Sequence, residues 1–195
     1  RGKEVTITEE TNYPFNGLIT FTISAESPVK FPVELRIPGW ADSVEIRYGK
    51  KAIFVKGRQS VKLTEKWKSG DQITMQIPME LRFERRYNNA VSVIRGPLYF
   101  SLRIDKEYKS VKINYDNFNY IGSVDWEISP KSPWNYGLLI DTGNTMRGFR
   151  VKENETRSFP FSDKGDMIWS ADSGKYVVSQ HDAPIVIRAR GIKIP

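Results

Sequence analysis

The chain has 195 residues, 39% of them hydrophobic and 27% charged, and its 30 lysines and arginines outweigh 23 acids for a net charge of +7. Such a composition fits a globular protein with room for one large β domain or two small ones. No apolar run approaches the roughly 20 residues of a membrane-spanning helix and no secretory signal opens the chain, while the absence of cysteine removes disulfides, thiolate metal sites and cysteine nucleophiles.

The elements follow one another as short alternating segments. Val5 to Thr8 and Leu18 to Ser24 read as strands, with Asn16-Gly17 turning between them. Val29, Phe31, Val33, Leu35 and Ile37 then alternate with Lys30, Pro32, Glu34 and Arg36. Successive strand side chains point to opposite faces, so this is a strand with one buried and one wet side. Pro38-Gly39 stops it, and Trp40 stands just past the stop. Val44, Ile46 and Tyr48 alternate next, followed by Gly49-Lys50-Lys51 as a hairpin turn. Ala52 to Lys56 and Ser60 to Leu63 extend the series, and Trp67 to Asp71 turns the chain into a strand with Ile73, Met75 and Ile77 on one face. Leu81 to Arg85, Val91 to Ile94 and Leu98 to Ile104 complete a first set.

A second set comprises Val111 to Tyr115, Val124 to Ile128, Tyr136 to Ile140, Tyr176 to Ser179 and Ile185 to Arg190. The polar stretch Lys106–Ser110 reads as the boundary, which predicts a first β-sandwich over residues 1–105 and a second β domain over 106–195. No window carries a helical apolar period, and many closely spaced short strands predict an all-β chain of one or two antiparallel, jelly-roll-like sandwich units.

The positive charge is dispersed. Residues 1–105 hold 17 basic against 12 acidic side chains, residues 106–195 hold 13 against 11, and the longest basic clusters are Lys50-Lys51 and Arg85-Arg86. A phosphate-tracking surface needs a concentrated stripe, so the linear sequence predicts no nucleic-acid partner and no membrane partner, although a fold can assemble a stripe from separate strands. The arginine at position 1 reads as a processed or cut chain, whose export signal, had it carried one, would be gone. Its compartment is left open.

Several segments share an order with one enzyme family. These are Glu10-Thr11-Asn12-Tyr13-Pro14-Phe15, Leu35-Arg36-Ile37-Pro38-Gly39-Trp40-Ala41, Trp67-Lys68-Ser69-Gly70-Asp71, Ile77-Pro78-Met79 and Arg95-Gly96-Pro97-Leu98. Ser132-Pro133-Trp134-Asn135-Tyr136-Gly137-Leu138 and Ala183-Pro184-Ile185 through Ile194-Pro195 continue the series. Together they resemble the middle and C-terminal β domains of β-L-arabinofuranosidase-type glycoside hydrolases. Asn12 stands where that family usually has an acid. The resemblance implies an accessory region whose partner is an N-terminal α/α-barrel catalytic domain of the parent chain. It also implies that the family's cysteine- and zinc-based chemistry lies in that barrel, so no catalytic residue, metal ligand or cofactor is carried over to this chain.

Local chemistry agrees with that expectation. Glycoside hydrolysis usually needs two carboxylates about 5–10 Å apart. Glu9-Glu10, Asp105/Glu107 and Asp125/Glu127 are the local candidates, and the last pair reads as the solvated face of a strand whose other face is Val124, Trp126 and Ile128. His181, the only histidine, neighbours Asp182, but adjacent strand residues point apart. Asp163, Asp166 and Asp172 offer hard oxygen ligands for calcium without the spacing of an EF-hand loop. Asn154-Glu155-Thr156 has the form of a glycosylation acceptor. Trp40 and Trp134 stand beside turns or prolines and are the candidates for stacking on a plant-type oligosaccharide, against the alternative that they close the ends of a sandwich. The expected function is a non-catalytic accessory region, with an independent carbohydrate-binding module as the alternative.

Overall fold

The computed structural model describes residues 2–111, 125–141, 143–144, 146–156, 167–170, 175–178 and 183–195. Two compact units divide it, Arg1–Phe100 and Ser101–Pro195. Among the described residues every strand pairing is antiparallel and there is no α-helix. The chain is all-β.

The first unit contains β1 (Val5–Thr11), β2 (Leu18–Ala25), β3 (Val29–Arg36), β4 (Ser43–Tyr48), β5 (Lys51–Lys56), β6 (Ser60–Trp67), β7 (Gln72–Gln76), β8 (Leu81–Arg85), β9 (Val91–Arg95) and β10 (Leu98–Phe100). Five of them form a sheet in the order β1-β2-β7-β4-β5, β3 pairs with β6, and β10-β9-β8 form a third sheet. The register sets Ile19 opposite Met75, Phe21 opposite Ile73 and Ile46 opposite Met75, so the alternating apolar positions of three strands share one face. Val33, Leu35, Leu63 and Trp67 of the β3–β6 ladder meet that face in a single core with Ile23, Val44, Ile46 and Ile73. This is a sandwich, and its centre is aromatic. Trp67 is 3% exposed, donates its indole N–H to the Phe31 carbonyl at 3.0 Å, and lies 6.3 Å from the rings of both Phe31 and Tyr48. The polar end of the indole is thereby satisfied where water is excluded.

Pro32 sits in the middle of β3 without breaking it. Ile37 N–H donates to the Gln59 carbonyl, and ladder bonds alternate along an antiparallel pair, so the odd residues of β3 bond β6. Pro32 falls on an even position opposite Thr64, where no N–H toward β6 is needed. The strand β6 also runs on to Trp67, past the expected end at Leu63. The following turn is closed by Asp71, whose carboxylate accepts the Lys68 N–H at 2.8 Å while its own N–H donates to the Lys68 carbonyl at 3.1 Å.

At the rim of the sandwich, Glu65 of β6 pairs with Lys51 of β5, whose ammonium lies 5.3 Å from the Tyr48 ring centroid. The hydrogen bond to Glu65 raises the Lys51 pKa above its ordinary value, against a smaller lowering from desolvation. A raised folded-state pKa means that the stabilisation is fully present below the unfolded lysine pKa and is lost as pH climbs through the folded one. In thermal melts, the gap between the native chain and Glu65→Gln should stay constant from neutral pH to about pH 10 and close above it. A gap that widened with rising pH would exclude this contact as its source.

In the second unit the described strands are β11 (Lys106–Val111), β12 (Asp125–Pro130), β13 (Tyr136–Leu138), β14 (Arg150–Glu153), β15 (Met167–Ser170), β16 (Lys175–Val178), β17 (Ile185–Arg188) and β18 (Gly191–Lys193). They pair as β11-β12, β13-β18, β14-β17 and β15-β16. The polar stretch read as a boundary, Lys106–Ser110, is itself strand: Lys109 faces Glu127 across the ladder, and their 3.2 Å ion pair supplies what apolar alternation does not. The expected strand Val111 to Tyr115 lies outside the described residues beyond Val111. Conversely, Arg150–Glu153 is a strand with four exposed residues, invisible to any apolar pattern.

Candidate functional site

Trp40 sits in a tight corner in which the Ala41 N–H reaches the Pro38 carbonyl at 3.3 Å. The indole is half-buried against the sandwich core, and the Arg82 guanidinium lies 5.8 Å from its ring centroid. Arg82 also donates to the Gly96 carbonyl at 2.7 Å, while its Nε is buried without a hydrogen-bond partner. Gly96 has φ +55°, and a Cβ there would stand 3.5 Å from Trp40 Cη2 and 2.5 Å from Met79 Sδ. The left-handed backbone disfavours any side chain there, and a Cβ would also have to displace the Met79 side chain. Next to it, buried Arg95 donates to the Phe15 carbonyl at 2.8 Å. Four sequence-distant segments, carrying Phe15, Trp40, Met79 and Arg95-Gly96, thus converge on one end of the first unit. A guanidinium near an indole gains cation–π attraction.

Trp134 is placed differently. It is 66% exposed, in the segment leading into β13, with Tyr136 45% exposed two residues on. Asn135 fixes the segment between them, donating its side-chain amide to the Ile194 carbonyl and accepting the Ile194 N–H at 2.7 Å. The exposed indole therefore stands on a pinned backbone, which lowers the entropy lost on contact with a ligand.

The acidic candidates are not brought together as a catalytic pair. Glu127 is engaged with Lys109, Glu107 with Lys131 at 2.7 Å, and Glu9 and Glu10 project to opposite faces of β1. The Asp105 backbone N–H is held by Ser132 Oγ at 2.9 Å. The side chains of Asp125 and Trp126, together with His181, Asp163, Asp166 and Asp172, lie outside the described residues. Among the described residues no cluster of three histidines or carboxylates could hold a metal ion. The Asn154 side chain donates to the Ala183 carbonyl at 2.8 Å.

Two features escape sequence reasoning. Arg82, the partner of Trp40, is 42 residues away from it, and only the packing of separate elements brings them together. Tyr87 is 88% exposed at the tip of the β8–β9 hairpin, followed by Asn88 and Asn89 in left-handed backbone. The Arg-Tyr-Asn-Asn run was the available signal, since asparagine tolerates that conformation best among residues with a side chain.

Residues 1–79 match the family model of the β-L-arabinofuranosidase GH127 middle domain. No curated protein matches the chain. Among solved structures, a GH127 β-L-arabinofuranosidase from Geobacillus stearothermophilus T6 is 20% identical, with a TM-score of 0.44 over 66% of this chain and 27% of that one. A GH127 β-arabinofuranosidase is 18% identical, with a TM-score of 0.43 over 73% and 27% of the two chains. A protein described as a glycoside hydrolase is 16% identical, with a TM-score of 0.42 over 67% and 32%. The chain thus spans about a third or less of the length of these structures. The matched segment holds the Glu10–Phe15, Leu35–Ala41, Trp67–Asp71 and Ile77–Met79 motifs, whereas Arg95–Leu98 and the later motifs fall beyond it. Over residues 1–79, about two fifths of its length, the chain is similar to the GH127 middle domain.

Proposed function

We propose that the chain is a non-catalytic accessory region of a GH127-type glycoside hydrolase, which packs on an α/α-barrel catalytic domain and stabilises it. The observation that carries this reading is the middle-domain match over residues 1–79. The engagement of Glu107 and Glu127 in surface ion pairs supports it, because carboxylates paired with lysine on a solvated ladder are not poised across a glycosidic bond. The test joins the chain to a GH127 barrel and follows the barrel's thermal unfolding. A rise of several degrees is expected, whereas an unchanged barrel would sink the docking role. Hydrolysis of a β-L-arabinofuranoside by the purified chain, above the rate of a mock preparation, would sink the non-catalytic assignment.

One observation favours a second reading. Trp134 is 66% exposed on a pinned segment, as a sugar-stacking residue in a carbohydrate-binding module would be. Titration with arabinose-containing plant oligosaccharides should then change the tryptophan fluorescence saturably, and Trp134→Ala should abolish the change without lowering the melting temperature. Trp40→Ala should leave it in place, because that ring is half-buried against the sandwich core with Arg82 over it.

A further inference from the structure

The two sheets of the sandwich present differently charged outer faces. Odd-numbered residues of β3 point into the core, so Lys30, Glu34 and Arg36 share the solvent face, and the register adds Lys62 and Lys66 from β6. All five are exposed. Four cations therefore accompany one carboxylate, and none of the four forms an ion pair with a described residue. On the five-stranded sheet the outer face instead balances Glu10 and Glu45 against Arg47 and Lys56. Lys30 stands directly opposite Lys66, at a position between ladder bonds where cross-strand side chains come closest. Like charges there oppose folding. A bound polyanion would relieve that repulsion.

We propose that the outer face of the β3–β6 ladder binds an acidic polysaccharide, a glycan chain whose uronate carboxylates meet Lys30, Arg36, Lys62 and Lys66. Residues on one face of a strand recur about every 6.8 Å, so the cations from Lys30 to Arg36 extend over roughly 20 Å. That length suits a run of sugars better than a single small anion. The eight positions of this face include no aromatic side chain, which removes the stacking platforms on which single-stranded nucleic acid relies, and no long apolar side chain to enter a bilayer. The choice of a glycan over other polyanions rests on the glycoside-hydrolase reading above.

The full chain is titrated with polygalacturonate, with neutral galactan and with a single-stranded oligonucleotide of equal charge. The triple variant Lys30→Thr, Lys62→Thr, Lys66→Thr keeps strand-favouring residues on the face. A control variant with the same net charge, Lys50→Thr, Lys56→Thr, Lys152→Thr, leaves that face intact. The face variant should lose polygalacturonate affinity by about tenfold or more, the control should stay within about twofold, and added salt should weaken native binding steeply. Equal losses in both variants, salt-insensitive binding, no binding by the native chain, or equal affinity for galactan or the oligonucleotide would each overturn the proposal. A failure here leaves the accessory role standing, because that role is read from barrel unfolding.

Discussion

Replacing Trp67 by alanine should unfold the first unit at temperatures where the native chain is intact. The side chain is the centre of the sandwich: it is 3% exposed, bridges Phe31 and Tyr48 by ring contact, and donates to the Phe31 carbonyl. Removing a buried aromatic loses its transfer energy and leaves a cavity, for about 3–5 kcal/mol together. In a unit of roughly 100 residues each kcal/mol moves the midpoint by about 4–8 °C, so a drop of more than about 12 °C is expected. Differential scanning calorimetry would check it. Trp67→Phe should fall between, because it refills much of the volume but leaves the carbonyl without its indole donor. A shift under about 4 °C for the alanine variant would mean that the core is not organised around this residue.

Gly17→Ala should be comparably damaging for a different reason. Gly17 lies in the turn before β2, where its carbonyl accepts the Ile77 N–H at 2.8 Å. A Cβ there would fall 1.8 Å from the Ile77 carbonyl oxygen, and backbone cannot step aside as a flexible side chain can. Either the hydrogen bond at the end of β7 breaks or both strands shift, at a cost of about 3 kcal/mol or more. Urea unfolding should show a lower midpoint with an unchanged slope. Gly49→Ala, at a turn with nothing within 4 Å of the added atom, carries only the conformational cost of its φ of +55° and should be milder. Equal losses at the two positions would show that crowding against Ile77 is not the cause.

The first unit was legible because its strands bury one side. Period-two alternation located β3, β4 and β7 directly, and the same residues, Val33, Leu35, Val44, Ile46, Ile73 and Met75, form the core. The second unit was less legible because its strands follow other rules. Arg150–Glu153 has no buried side, and β11 is held to β12 across charged pairs such as Lys109 and Glu127. Of the candidate site, position in the chain revealed that Trp40 and Trp134 flank corners, but not that Arg82 lies against the first while the second stands exposed. The cationic face was hidden for a related reason. Lys30 and Lys66 are 36 residues apart in sequence, and only antiparallel register makes them neighbours.

Among the described residues β3 pairs with β6 alone, so its far edge offers a row of backbone groups to any passing extended chain. The donors on that edge belong to the even positions, and Pro32 deletes one from the middle of the row. Lys30 and Glu34 flank the gap with charge. A second molecule attempting to add a strand there would meet a missing hydrogen bond between two charged residues, a pattern that disfavours edge-to-edge pairing.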